Sequence, residues 1–267
     1  MTAIWDFADF DAHESVHMFD DPKTGLRAVI AIHSTHLGPA AGGTRFWHYA
    51  DGAAAITDAL RLSRGMSYKN AMAGLPLGGG KGVVLAGPDK QKTSEMLHSF
   101  GRAIETLGGA YVTAEDVGMS DADMTEIARE TRHVAGLPVS DINAAGGDPG
   151  PYTSRGVYLG IKAAAKYRFG TDNMDGVHVA LQGIGSVGGG VARLLAADKA
   201  KLTIADIDDV KLRAMADETG AQMAELGDIM RVKADIFSPN ALGAILNDAS
   251  IAALDVAVVA GGANNQM

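Results

Sequence analysis

Three stretches in the first half of the chain carry side chains suited to chemistry: Tyr68-Lys69-Asn70, Gly78-Gly-Gly-Lys81-Gly82 and Thr113-Ala-Glu-Asp116-Val-Gly118. Three glycines ahead of a lysine add no packing area. They make backbone that something else approaches closely. The spacing is not that of a P-loop, because GxxxxGK[ST] is absent. Two ammonium groups and a carboxylate meeting in a cleft suit work on an α-amino acid. One lysine can hold the substrate carboxylate. A second, desolvated and close to the first, binds its proton less tightly and can act as a base near neutral pH. The acid can shuttle the proton of the substrate nitrogen. Each residue also has a plainer reading. A lysine taken singly is usually a solvated surface group. Asp116 could cap a helix starting near residues 119–121.

A second constellation lies in the other half. Gly183-Ile-Gly185-Ser186-Val187-Gly188 follows an apolar run and opens a helical pattern, the setting that gives GxGxxG its meaning. Gly183 makes a tight turn, Gly185 lets backbone approach a pyrophosphate, and Gly188 lets the helix pack on the strand. The helix N-terminus turns unpaired N–H groups toward the negative charge. Asp206, about 20 residues on, stands where an acid accepts ribose hydroxyls and repels a 2′-phosphate. No arginine follows it, so the expected cofactor is NAD. The alternatives are a ligand-free glycine turn and a strand-end capping acid.

These groups need a scaffold, and apolar periodicity supplies one. Residues 14–19 and 26–33 read as strands of a hairpin around the turn cluster 20–25. Helical spacing marks 53–66, 93–107 and 121–132, with a short strand at 110–112. The segment DINAAGGDPGP, residues 141–151, breaks the pattern and places a domain boundary. A helix at 153–167 follows. Then come a strand at 177–181, a helix at 186–197, a strand at 201–205 and a helix at 211–219. Later parallel strands are expected at 234–237 and 256–260. The expected fold class is α/β: an N-terminal α/β substrate and oligomerisation domain over residues 1–145, then a Rossmann domain over residues 146–267.

Composition excludes several function classes. With 23 Lys and Arg against 32 Asp and Glu, the net charge of −9 argues against a nucleic-acid or anionic-membrane partner. Cysteine is absent, which removes disulfides, thiolate metal sites and cysteine nucleophiles. Glycine is abundant, at 34 of 267 residues, and clustered in the blocks just described. No signal-peptide pattern or membrane-length apolar run occurs, so a cytoplasmic location is expected. His33 and His36 read as a strand-end pair with loop contacts rather than metal ligands, and no metal is expected. The 12 methionines mostly fall at helical core spacing.

Taken in order, LGPAAGGTRF, MSYKNAMAGLPLGGGKGVV, YVTAEDVGMS, PGPYTSRGVYLGIKAAAK, LQGIGSVGGGVA and VVAGGANNQ resemble the signature blocks of the glutamate, leucine, phenylalanine and valine dehydrogenases. The resemblance covers nearly the whole chain from about Glu14. It implies that Lys69 binds the substrate carboxylate, that Lys81 is the base activating water, and that Asp116 handles the proton on nitrogen. Gly42 and Ala114 would line the substrate pocket. Thr153 would meet the nicotinamide carboxamide, and Asn264 would lie near its ribose. The implied reaction is reversible oxidative deamination of an L-amino acid to a 2-oxo acid, with ammonium released and NAD as acceptor. Relatives bind substrate between their two domains and oligomerise through the first, so a homo-oligomer, dimer or octamer, is expected.

The stretch from Pro39 to Gly42 is small and apolar, which favours an apolar substrate side chain over glutamate. Ala41 resembles the phenylalanine enzymes and TAEDVG the leucine and valine enzymes. Pocket size separates such side chains by only ~1–3 kcal/mol per methylene. Branched-chain substrates are favoured, with phenylalanine kept open. Relatives continue past the last block, so the resemblance implies a Rossmann domain incomplete at its C-terminus. One competing reading is therefore a non-catalytic, NAD-binding and oligomerising homologue. A hydroxy-acid dehydrogenase is disfavoured, since no histidine–carboxylate pairing is evident.

Overall fold

The computed structural model describes residues 3–89, 91–139, 146–241, 243 and 245–264. It divides into two compact units, Met1–Asp148 and Pro149–Met267. Of the boundary segment 141–151, residues 141–145 lie outside the described residues.

The first unit is built on a mixed sheet. Strands β1 (Ser15–Asp21) and β2 (Leu26–Ser34) form the expected hairpin. β2 pairs antiparallel with β5 (Gly78–Leu85). β5 also pairs parallel with β3 (Ala40–Ala41) and β4 (Thr44–Trp47), and β3 pairs parallel with β6 (Tyr111–Val112). The two-residue alternation of a strand sorts the core into two layers. Ala28, Ile30 and Ile32 of β2 join Leu97, Phe100 and Ile104 of α2 (Ser94–Glu105) and Met124 and Ile127 of α3 (Asp121–Ile127). Val29 and Ala31 face the other way, onto Ala55, Ala59 and Leu60 of α1 (Gly52–Met72). Side chains such as Phe100 and Ile104, wholly buried, each contribute ~2 kcal/mol. Asp51 caps the start of α1 by accepting from the Ala54 N–H at 2.8 Å.

The glycine block is the central strand β5, and what approaches it is this protein itself. A Cβ on Gly79 would lie 2.1 Å from the Ser67 hydroxyl, so α1 rests directly on the strand. A Cβ on Gly80 would lie 2.7 Å from the Tyr111 ring on the opposite face. The helix expected at 121–132 ends at Ile127. The chain must leave it so that residues 133–135 can bond to Thr113 at the sheet edge, at 3.0 and 2.7 Å.

The second unit holds an all-parallel five-stranded sheet in the order β11-β10-β7-β8-β9. The strands are β7 (His178–Gln182), β8 (Lys201–Ala205), β9 (Gln222–Met223), β10 (Ile236–Pro239) and β11 (Val258–Val259). The last two begin two residues later than the apolar runs suggest. Helices α4 (Gly150–Phe169), α5 (Ser186–Ala197) and α6 (Asp209–Thr219) pack on one face around Ile161, Val191, Leu195 and Leu212. Ile229, Met230, Val232, Ile245, Leu246 and Leu254 contribute to the cover of the other face around Phe237, and the short α7 (Asp248–Ala252) has no buried residue. The strand order reverses between β7 and β10, the switch point beside which doubly wound sheets bind ligands. Among the described residues no helix is long and apolar enough to cross a membrane.

Candidate functional site

Lys81 sits in β5 and is 3% exposed. Strand parity turns odd-numbered residues of β5 toward α1, as Gly79 and Val83 show, so Lys81 faces that helix. Its Nζ donates to Asp116 Oδ2 at 2.6 Å. Asp116 stands just beyond β6, where the backbone continues the ladder: Gly42 and Thr44 N–H groups donate to the carbonyls of Val112 and Ala114 at 3.2 and 2.8 Å. Gly43 permits that approach, since a Cβ there would fall 2.8 Å from Asp116 Cβ and 2.5 Å from the Glu115 carbonyl. The helix cap of α3 is Ser120, not Asp116, which leaves the Asp116 carboxylate to its cationic partners.

Burial pulls the Lys81 ammonium below its ordinary range. Asp116 opposes that pull, and Arg45 reinforces it. Burial alone would push the Asp116 carboxyl up, but Lys81 and Arg45 outweigh it and hold the group below the usual range. The cation that shares the Asp116 oxygen with Lys81 is Arg45, to which the sequence assigns no role. Lys69 lies in the last turn of α1 and is exposed, and among the described residues its ammonium makes no ion pair. Its neighbour Asn70 is buried and donates to the Gly78 carbonyl at 2.6 Å, fixing the end of α1 to β5. Gly42 is buried, with its carbonyl accepting from the Tyr111 hydroxyl at 2.7 Å, and Ala114 is half-buried. Lys92 pins the far side of the Asp116 loop through the Gly118 carbonyl at 2.6 Å and through Asp123.

In the second unit the three fingerprint glycines have distinct reasons. Gly183 has a φ of +83°, and a Cβ on Gly188 would stand 1.9 Å from the Gly183 carbonyl. Around Gly185 a Cβ would meet nothing within 4 Å, so packing gives no reason for glycine there. Gly185 is also the N-cap of α5 and has no side chain to satisfy the N–H groups of the first turn, at Ser186 and Val187. Open space beside uncapped donors fits a dinucleotide pyrophosphate. The Asp206 carboxylate accepts from Ile184 N–H at 2.7 Å and Asp208 N–H at 2.9 Å, stitching β8 to the glycine turn. Thr153 lies in the first turn of α4, its hydroxyl donating to the Pro149 carbonyl at 2.9 Å. Asn264 is exposed, and the loop before it is held by Asn240, which accepts from Gly262 N–H at 2.9 Å. A Cβ on Gly262 would reach Val187 at 3.3 Å and Val157 at 3.1 Å, so this loop borders the start of α5. Among the described residues no group of three or more His, Cys, Asp or Glu is arranged to hold a metal ion.

Leucine dehydrogenase of Bacillus subtilis is 48% identical over 255 residues, 96% of this chain and 70% of that one. The chain belongs to the Glu/Leu/Phe/Val dehydrogenase family. Residues 13–133 match the family model described as its dimerisation domain. The crystal structure of L-tryptophan dehydrogenase from Nostoc punctiforme superposes with a TM-score of 0.70 at 41% identity, covering 96% of this chain and 72% of that one. Hetero-hexameric glutamate dehydrogenase from Thermus thermophilus shares the fold at 19% identity and a TM-score of 0.74, covering 95% and 68%. The protein is an amino acid dehydrogenase with the α/β fold of this family, and it works with a nicotinamide dinucleotide. Sequence reasoning gives no role to Arg45, Gly43 or Asn70, although the first two stand in the GGTRF block and Asn70 follows Lys69 directly.

Proposed function

We propose that this dehydrogenase reversibly deaminates an apolar L-amino acid with NAD, and that Lys69, Lys81 and Asp116 divide the work. The observation that carries the proposal is the buried Lys81–Asp116 pair at 2.6 Å. A lysine in that setting exchanges a proton at far lower cost than one in water, and the carboxylate is its partner. A bound nicotinamide supplies the hydride acceptor. Lys81 takes a proton from the water that attacks the imine carbon, and Asp116 carries the proton of the substrate nitrogen. Lys69, exposed at the end of α1, offers its ammonium to the substrate carboxylate. Gly42 and Ala114 would line the pocket for an apolar side chain, with branched-chain substrates favoured over phenylalanine.

Ser186, Val187 and the glycines at 183, 185 and 188 would hold the pyrophosphate, Asp206 the ribose, and Thr153 and Asn264 the nicotinamide end. Asp206 and the acids at 208 and 209 disfavour a 2′-phosphate, hence NAD over NADP. A homo-oligomer assembled through the first unit, dimer or octamer, accords with the family model matched there. The test is NADH formation from NAD with L-leucine, L-valine or L-phenylalanine at alkaline pH. Lys81→Ala is expected to lower kcat on the order of a hundredfold or more while NAD binding persists. Turnover undiminished by that substitution would overturn the assignment of Lys81.

A further inference from the structure

Arg45 has no part in the chemistry just assigned, yet it touches the reacting pair. It is 8% exposed. Its Nε donates to Asp116 Oδ2 at 3.2 Å, the same oxygen that Lys81 uses at 2.6 Å. Its Nη1 donates to Asp58 Oδ2 on α1 at 2.8 Å. The Tyr49 hydroxyl donates to that Asp58 oxygen at 2.6 Å. A chain of hydrogen-bonded groups thus runs from the neutral Tyr49 hydroxyl through Asp58, Arg45 and Asp116 to Lys81. We propose that Arg45, anchored by Asp58 and Tyr49, is a positioning residue that fixes the Asp116 carboxylate and sets how readily Lys81 gives up its proton. The inference rests on the assignment of Lys81 as base.

The electrostatics follow from the geometry. A lone carboxylate at hydrogen-bond distance would hold Lys81 in its charged form. The guanidinium on the same oxygen takes up part of that attraction and repels the ammonium. Asp58, on the far side of Arg45, moderates the repulsion, and this balance matches the directions in which Asp116, Arg45 and Asp58 act on Lys81. The other charged groups on α1 point elsewhere. Arg61 pairs with Asp9 at 3.6 Å, and Arg64 lies 3.9 Å from Asp9 and 4.0 Å from Asp11. Lys69 is exposed, and the Ala31 opposite Lys81 on β2 carries no charge. Only a forked cation reaches two carboxylates in fixed directions, which is why a lysine would not replace Arg45.

The experiment is the pH dependence of kcat and kcat/KM for the full chain oxidising L-leucine with NAD. Arg45→Gln is expected to move the acid limb up by about one pH unit and to lower kcat roughly tenfold, with KM for the amino acid little changed. Asp58→Asn is expected to move the same limb down, since it removes a negative charge. Arg45→Lys is expected to return the limb toward its original position while kcat stays low, because charge is restored and the fork is not. Arg45→Gln leaves two buried carboxylates without their shared partner and risks misfolding. Asp58→Asn and Arg45→Lys, which both keep a cation between the two carboxyl positions, then carry the test. A folded Asp58→Asn or Arg45→Gln variant whose acid limb does not move, or an Arg45→Lys variant whose kcat is undiminished, would overturn the proposal. If Lys81→Ala retains turnover, the underlying assignment fails. If it is inactive and the limb stays fixed in Asp58→Asn and in folded Arg45→Gln, or Arg45→Lys keeps full kcat, only the role of Arg45 fails.

Discussion

Replacing Glu115 by glutamine is expected to stabilise the protein at alkaline pH and to leave it unchanged in mild acid. Burial, a hydrogen bond that the protonated acid donates to Asp121, and the charges of Asp121, Asp148 and Asp123 push the Glu115 carboxyl from its ordinary 4.5 up to about 7. Its Oε2 and the Asp121 Oδ1 are buried without a hydrogen-bond partner among the described residues, in accord with carboxyls crowded too closely for all to ionise. A raised folded-state value means that the native protein keeps a proton the unfolded chain has already released. The associated stability is complete below about pH 4.5 and is lost as pH rises through about 7. Undamped, that difference is worth ~3 kcal/mol at about 1.4 kcal/mol per pKa unit, and partial exposure to water reduces it to ~1–2 kcal/mol. Glutamine copies the protonated acid in shape and donor capacity and has nothing to ionise. Urea unfolding between mild acid and alkaline pH should show wild type and Glu115→Gln coinciding at the acid end. They should diverge by ~1–2 kcal/mol at the alkaline end, with the variant more stable. Comparing the two proteins cancels His13 and His17, whose lowered affinities for protons act in the opposite sense. Parallel curves across the range would refute the reasoning.

Gly43→Ala should displace the Asp116 loop, because its methyl group would enter within 2.8 Å of Asp116 Cβ; kcat is expected to fall at least about tenfold with the cofactor Kd unchanged. Gly185→Ala should fold normally, since its methyl meets no protein atom within 4 Å, yet should weaken NADH binding about tenfold or more by occupying the pyrophosphate space, as titration of cofactor fluorescence would show. Tyr111→Phe removes a buried hydroxyl that donates to the Gly42 carbonyl at 2.7 Å, and should cost ~1–2 kcal/mol in urea unfolding.

Helices with a clear apolar stripe are readable from sequence to within a few residues at most ends, and α5 and β8 to the residue. The strand β5 is not, because Gly78, Gly79 and Gly80 offer no side chains whose alternation could be seen. Its glycines do announce a close approach, but not that α1 and Tyr111 make it. The short strands β3 and β4 are hidden for a similar reason: two and four residues are too few for a period to register. Lys81 and Asp116 are singled out by their neighbours in sequence. Arg45 is not, since its partners stand 71 residues away at Asp116 and 13 away at Asp58, and charge complementarity over such gaps leaves no local pattern. Likewise Ser120, rather than Asp116, caps α3, a choice between two nearby acceptors that only the backbone geometry settles.

The contact between α1 and β5 has a bearing on how this region can change. With the Ser67 hydroxyl 2.1 Å from where a Gly79 methyl would stand, and the Tyr111 ring 2.7 Å from one on Gly80, the strand is clamped from both sides. An accepted substitution in the glycine run therefore needs a simultaneous shift of the helix that ends just past Lys69 or of the aromatic ring that buttresses Gly42. Single-step variation is blocked, and the two amines, one on the helix and one on the strand, are tied to a common mechanical datum.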